Sequence, residues 1–292
     1  MALQTKALVT SRWLAQAMKL QRRVRVLDTS WFLPKVRRSA RSEFRILNIP
    51  GAAFFDIDQC CDKTSTLDRM LPPERVFADY VGNLGIQRDT HVVVYDSSEF
   101  GAFSAPRAWW MFRAFGHGAV SLLDGGLVGW ELEGQPVSDR YARPAPAEFR
   151  ASLNRSWIKT YEELLDNLDS KRFQVVDARP AGRFRGLDPE PRDNTEPGHI
   201  PGSINVPFHH FLSPSGHFLP TEQLQALFAR AGVDLGRPVC VSCGSAVTAC
   251  TVALAAHECG HPGVSVYDGG WSEWYIRAGP EHVISEGRGK HV

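Results

Sequence analysis

The chain has 292 residues, a formal net charge of +1 with His neutral, 43% hydrophobic residues and 22% charged ones. That balance fits a soluble globular protein with core enough for one large domain or two ordinary ones, and it gives no global attraction to nucleic acid or an anionic membrane. No apolar run approaches the roughly 20 residues that span a bilayer.

The N-terminus lacks a secretory apolar region and cleavage signal. It has no acid before Asp28 but carries Lys6, Arg12, Lys19, Arg22, Arg23 and Arg25, a composition compatible with mitochondrial import. The same stretch predicts a surface helix capped near Thr10 or Ser11 that buries some of Leu8, Trp13, Leu14 and Met18. The expected compartment is the cytoplasm, the mitochondrion or both.

From there the same order of elements runs twice. Val26-Leu27-Asp28, Ile49-Pro50-Gly51-Ala52, Val92 to Asp96 and Leu122-Leu123-Asp124-Gly125-Gly126 with Trp130 form the first pass. Val175-Val176-Asp177, His199-Ile200-Pro201-Gly202-Ser203, Val239 to Cys243 and Val266-Tyr267-Asp268-Gly269-Gly270 with Trp274 form the second. The apolar pulses have the length of buried strands, and Pro106 to Phe115 and Ala249 to Cys259 have helical spacing. The pattern predicts two α/β domains, each a mainly parallel sheet flanked by helices. The expected boundaries are 1–137 for the first domain, 138–156 for a Pro-containing linker, 157–284 for the second domain and 285–292 for a polar surface tail.

Chemistry is concentrated where the strand ending at Cys243 runs through Gly244-Ser245-Ala246-Val247-Thr248 into a helix. A thiol there sits near a helix N-terminus and backbone N–H groups, which favour the thiolate. The first pass has Asp96 at the equivalent position, so only the second domain can use a nucleophilic sulfur. Six cysteines occur, four of them between Cys240 and Cys259, which suits free thiols in a reducing compartment better than a disulfide framework. Cys240 and Cys243 are three apart on a strand and point to opposite faces, which argues against a dithiol pair. The zinc-like spacing to His257 and His261 falls on a strand and helix rather than a finger, so no metal is expected. A phosphatase loop of Cys-x5-Arg type is missing its arginine, because Ala249 stands there.

Gly198-His199-Ile200-Pro201-Gly202, Cys243-Gly244-Ser245-Ala246-Val247-Thr248 and Asp268-Gly269-Gly270-Trp271, in that order, resemble the tandem rhodanese-type sulfurtransferases. The match runs over nearly the whole chain, including Phe184-Arg185-Gly186, Glu190-Pro191-Arg192-Asp193 and Ile284-Ser285-Glu286-Gly287. The resemblance implies two tandem rhodanese-like domains, the second catalytic, and a persulfide carried on Cys243. The Cys-Gly-Ser start is similar to members that use 3-mercaptopyruvate rather than thiosulfate, whose loop begins Cys-Arg-Lys. It further implies that Arg183 and Arg192 hold the donor's carboxylate and keto group, with Gly244, Ala246, Val247 and Thr248 in the binding loop. Acceptors would be thioredoxin, a small thiol or cyanide, with no cofactor and a monomer or weak dimer.

Two positions depart from the family pattern. A histidine relay between Ser245 and Asp58 is replaced at the histidine by Arg69, which cannot release a proton near neutral pH. Ser245 is therefore expected only to hydrogen-bond, and Asp58 and Arg69 to form an ion pair near the cleft. Ala246 replaces a glycine, which would strain the loop if its φ is positive and only narrow the pocket otherwise. Trp31, Phe103 and Trp271 are candidate walls around the persulfide or ordinary core. Thiosulfate:cyanide sulfurtransfer is the nearest rival function, and a non-catalytic sulfur-sensing or partner-binding module the next.

Overall fold

The computed structural model describes residues 5–20, 23–261 and 263–290. Arg22 of the basic N-terminal stretch lies outside the described residues. The chain forms two compact units, Met1–Asn154 with Leu212–Phe218, and Arg155–Phe211 with Leu219–Val292.

In the first unit the strands β1 (Leu8–Val9), β2 (Val24–Asp28), β3 (Ala53–Phe54), β4 (His91–Tyr95) and β5 (Val120–Leu123) form a sheet in the order β1-β5-β4-β2-β3. The helices are α1 (Ser11–Lys19), α2 (Ala40–Ile46), α3 (Glu74–Gly82), α4 (Ala105–Ala114) and α5 (Gly126–Leu132). The second unit repeats this with β6 (Ile158–Lys159), β7 (Gln174–Asp177), β8 (Ile204–Asn205), β9 (Val239–Ser242) and β10 (Ser265–Tyr267) in the order β6-β10-β9-β7-β8. Its helices are α6 (Tyr161–Ser170), α7 (Ala181–Arg185), α8 (Thr221–Arg230), α9 (Ala249–Glu258) and α10 (Gly270–Arg277). Every strand pairing in both sheets is parallel.

The central strands read as unbroken apolar runs because helices cover both faces of a parallel sheet; Val92, Val93 and Val94 are all fully buried. The edge strands β1, β3, β6 and β8 are two residues each, too short for any periodicity to announce them. Leu8 accordingly belongs to β1, paired with Leu122, and not to the first helix. That helix is capped by the Thr10 side chain, which accepts from the Trp13 N–H, and it buries Leu14 and Ala17. Trp13 and Met18 pack partly buried against the same core.

The proline-containing stretch after Ser138 is fastened to the first unit by backbone pairing. Ala142 donates to Ala52 (2.8 Å), Ala147 to Gly82 (2.9 Å) and Asn154 to Ala114 (2.8 Å). The C-terminal polar stretch is tied down as well. Glu286 pairs with Arg185 at 2.6 Å, and the Lys290 ammonium donates to the Tyr275 (2.6 Å) and Ala278 (2.5 Å) carbonyls at the end of α10, where a cation suits the helix dipole.

The strand order fixes where chemistry can occur. After β7 the chain moves outward to β8, and after β9 it moves the other way to β10, so a crevice opens beyond the carboxyl ends of β7 and β9. Cys243 follows β9 directly, and Arg179 to Arg185 follow β7.

The repeat also places a buried aspartate at the end of β2 and of β7, with different partners. Asp177 has Arg179 against it at 2.6 Å. Asp28 has only neutral donors such as the Ser30 N–H (2.9 Å), and burial pushes its pKa up to about 7. An unfolded aspartate titrates near 3.9, so between about pH 4 and pH 7 the folded first unit holds a proton that the unfolded chain has lost. This contribution is complete below about pH 4 and disappears as pH rises through about 7, with an upper bound of roughly 4 kcal/mol. Asp28→Asn should flatten that loss. Urea unfolding of the two proteins at about pH 5 and about pH 8 checks it, and parallel losses would refute the assignment.

Candidate active site

The loop Cys243 to Thr248 is held from outside by the start of α10. The Trp271 N–H donates to the Cys243 carbonyl (2.7 Å), and the Ser272 N–H and Oγ donate to the Gly244 carbonyl (3.1 and 2.8 Å). In a trans peptide the following N–H points opposite to its carbonyl, so the N–H groups of Gly244 and Ser245 are turned away from α10. Only glycine permits this approach. Gly270 has φ +57°, and a Cβ there would stand 2.6 Å from the Cys243 oxygen and 2.8 Å from the Gly244 oxygen. The Gly-Gly pair seen in the sequence is thus the clamp that orients the loop's amides.

The first unit shows what such a loop binds. Leu127 donates to the Asp96 carbonyl (3.0 Å), matching the Trp271 contact, and Gly126 takes φ +58°. The Asp96 carboxylate then accepts from the N–H groups of Ser98 (3.0 Å), Phe103 (2.9 Å), Ser104 (2.8 Å) and Ala105 (2.8 Å). A carboxylate of the chain itself fills a ring of amides. Position 243 in the second unit presents a sulfur instead.

Cys243 is 3% exposed, and its two expected arginines lie beside the next residue. A Cβ on Gly244 would be 3.2 Å from one terminal nitrogen of Arg183 and 3.4 Å from one of Arg192, so a side chain there would crowd the Arg183 guanidinium and touch that of Arg192. Arg192 also donates to Ser245 Oγ (2.8 Å), which gives Ser245 the hydrogen-bonding place expected of it. Val247 is buried, and Thr248 stands at the N-cap of α9 without a side-chain capping bond. Ala246 is buried with φ +55°, the strained alternative of the two considered.

Cys240 lies in the apolar core on the far side of β9, and burial pushes its thiol up to about 12. Cys250 is buried, its Sγ donating to the Ala246 carbonyl at 3.2 Å. Cys60 and Cys61 are buried rather than loop-exposed, and desolvation raises the Cys60 thiol far above its ordinary range. His261 is also buried, its Nε2 within 3.1 Å of the Arg237 carbonyl ahead of β9. Pro262 beside it lies outside the described residues. Among the described residues no group of three His, Cys, Asp or Glu is placed to hold a metal.

Trp271 is 1% exposed and belongs to the core of its unit; its indole N–H donates to the Glu196 carbonyl (3.0 Å), and Arg179 lies 4.7 Å above its ring. In the first unit Trp31 and Phe103 stack at 6.2 Å. Asp58 and Arg69 form the expected ion pair at 2.8 Å, the second Asp58 oxygen accepts from the Trp31 indole (2.9 Å), and the Arg69 guanidinium lies 4.4 Å over the Trp31 ring.

Sequence reasoning missed Arg179 and Glu190. Both lie in the segment that follows β7, the strand paired with β9 ahead of Cys243, which is the signal that could have found them. Arg179 is bound by Asp177 and by Glu190 (2.8 Å), and it donates to the Gly198 carbonyl (2.6 Å).

An alanine at positive φ costs about 1 kcal/mol that glycine does not. Ala246→Gly should raise stability by about that amount, read as a higher denaturant midpoint at constant m, and should also speed turnover. A variant no faster than the parent would separate the strain from the rate.

The rhodanese-like domain family matches residues 10–133 and 160–277. The chain is 58% identical over 288 residues to human 3-mercaptopyruvate sulfurtransferase, covering 98% of this chain and 97% of the human protein. It is 53% identical over 287 residues to rat thiosulfate sulfurtransferase, covering 97% and 96%. Among solved structures, Escherichia coli SseA, described as a 3-mercaptopyruvate sulfotransferase of rhodanese fold, superposes with a TM-score of 0.82 at 38% identity, covering 91% of this chain and 99% of SseA. Saccharomyces cerevisiae Tum1 superposes with a TM-score of 0.87 at 30% identity, covering 96% and 98%. With a family match in each half and relatives of this closeness along nearly its full length, the chain belongs to the rhodanese family as a tandem, two-domain member.

Proposed function

We infer that the protein is a 3-mercaptopyruvate sulfurtransferase with Cys243 as its sulfur carrier. The observation that carries this reading is the pair of guanidiniums, Arg183 and Arg192, against the uncharged Gly244 next to the nucleophile. Mercaptopyruvate is a monoanion with a planar carboxylate beside a keto group, and guanidinium forks bind such oxygens in pairs. Thiosulfate is a compact dianion better met by cations within the loop, where this chain has Gly244 and Ser245. The human relative points the same way.

In the first half-reaction the Cys243 thiolate attacks the donor sulfur. A sulfur–sulfur bond forms, the carbon–sulfur bond breaks with its electron pair moving to carbon, and the enolate takes up a proton to leave pyruvate. The donor's thiol proton stays on the outer sulfur of the Cys243 persulfide or is lost to solvent. The inward-turned amides of the 243–248 loop and the N-terminus of α9 stabilise thiolate and persulfide anion alike. Ser245 Oγ keeps Arg192 in place.

In the second half-reaction a thiol or cyanide attacks the outer sulfur and returns the Cys243 thiolate. Cyanide gives thiocyanate directly. A dithiol such as thioredoxin takes the sulfur as a persulfide and then releases hydrogen sulfide as its second thiol closes the disulfide. A monomer or weak dimer, working in the cytoplasm, the mitochondrion or both, completes the proposal. A yeast mitochondrial complex I sulfur transferase subunit, 31% identical with a TM-score of 0.85, supports the mitochondrial part. No described helix is long and apolar enough to cross a membrane.

Incubation with 3-mercaptopyruvate should add one sulfur atom to the intact protein by mass spectrometry. A small thiol should remove it, and Cys243→Ser should abolish it. The kcat/KM for 3-mercaptopyruvate should exceed that for thiosulfate; the reverse order makes the protein a thiosulfate sulfurtransferase, and no adduct makes it a binding module.

A further inference from the structure

Arg183 projects from α7, a helix of five residues with no side-chain cap. A four-torsion side chain on so short an element has little to hold it, yet a donor's carboxylate needs the guanidinium in one orientation. The holding group is Glu190. Its carboxylate is 2% exposed, Oε1 accepts from Arg183 Nε (3.2 Å) and Oε2 from an Arg183 terminal nitrogen (2.6 Å), so Glu190 grips the side edge of the fork. Glu190 is itself fixed from behind, because Oε1 also accepts from Arg179 at 2.8 Å. Arg179 cannot move: its Nε and a terminal nitrogen reach both oxygens of Asp177, it donates to the Gly198 carbonyl, and the Trp271 ring lies beneath it. Asp177 is the last residue of β7, so the chain of contacts runs from the sheet to the guanidinium beside Gly244.

We propose that Glu190 is the positioning residue for donor binding: through Arg179 and Asp177 it anchors Arg183 to the sheet and leaves the end of the guanidinium to meet the donor's carboxylate. The proposal rests on the reading of this site as one that binds 3-mercaptopyruvate. The charges fit it. Asp177 answers Arg179 and Glu190 answers Arg183, so the donor meets a preset fork.

Glu190→Asp keeps the charge beside Arg179 but is one methylene too short to grip Arg183 as well, and Glu190→Gln keeps the shape but loses one acceptor. Each should raise the KM for 3-mercaptopyruvate by roughly tenfold or more with a smaller change in kcat. Neither should slow the release of sulfur to dithiothreitol from enzyme loaded beforehand with inorganic polysulfide, because that step does not use Arg183. In an Arg183→Ala background the same substitutions should add almost nothing, and Glu148→Gln on the surface should behave as wild type. If Glu190→Gln melts early, Glu190→Asp carries the test. An unchanged KM in both variants, an equal loss in the Arg183→Ala background, or sulfur release that falls in step with KM overturns the proposal. Wild-type turnover of 3-mercaptopyruvate in the same assay distinguishes those results from a failure of the functional reading itself.

Discussion

The structure depends on the direction in which two peptide carbonyls point. The oxygens of Cys243 and Gly244 are drawn outward by the first N–H groups of α10, which reach them because Gly270 carries no side chain. That one contact turns the next two amides the other way. Helix α9 begins a few residues later and adds its own N-terminal field. A sulfur at the head of this loop therefore faces fixed dipoles of the sign that favours an anion.

The repeat makes the argument internal to the molecule. Both units use a Gly-Gly helix start to hold the same loop, and in the first unit the loop's amides close on the carboxylate of Asp96. A carboxylate and a thiolate have the same charge but different chemistry. The carboxylate fills its ring permanently and cannot accept sulfur, so in the first unit the device is structural, whereas in the second a cysteine stands at the same place. The aspartates at the ends of β2 and β7 diverge in parallel. Asp177 pairs with Arg179, while Asp28 has neutral partners and is a buried acid.

Much of this was legible in the sequence because the information is local. The central strands showed as apolar runs, the loop and its glycines stood together, and the duplicated order of elements gave the fold class. The edge strands of two residues had no pattern to read, and Leu8 was misplaced for that reason. Arg183 and Arg192 were found through a family resemblance, since two arginines in a Gly/Pro-rich stretch carry no orientation of their own. Arg179 escaped notice because its place is set by partners distant in the chain, such as the Gly198 carbonyl and the Trp271 ring, and Glu190, read only as part of a family match, because its carboxylate is placed through Arg179. The backbone angle at Ala246 was undecidable from residue type, and the answer, φ +55°, lies on the strained side.

Arg69 stands where the family resemblance implies a relay histidine. Arg69 is buried, paired with Asp58 and Asp68, and stacked on Trp31, so it is a fixed cation in a framework of its own. A guanidinium offers donors and no acceptor, so a relay that needs an acceptor at this position has none. On the functional reading proposed above, the loop amides and the start of α9 are the groups of the second unit placed to favour an anionic sulfur at position 243. A site arranged in this way trades proton-relay assistance for preset fields, and its rate depends on how accurately those fields are held. That is why a strained alanine in the loop and a carboxylate behind Arg183 bear on the chemistry although neither takes part in a bond that forms or breaks.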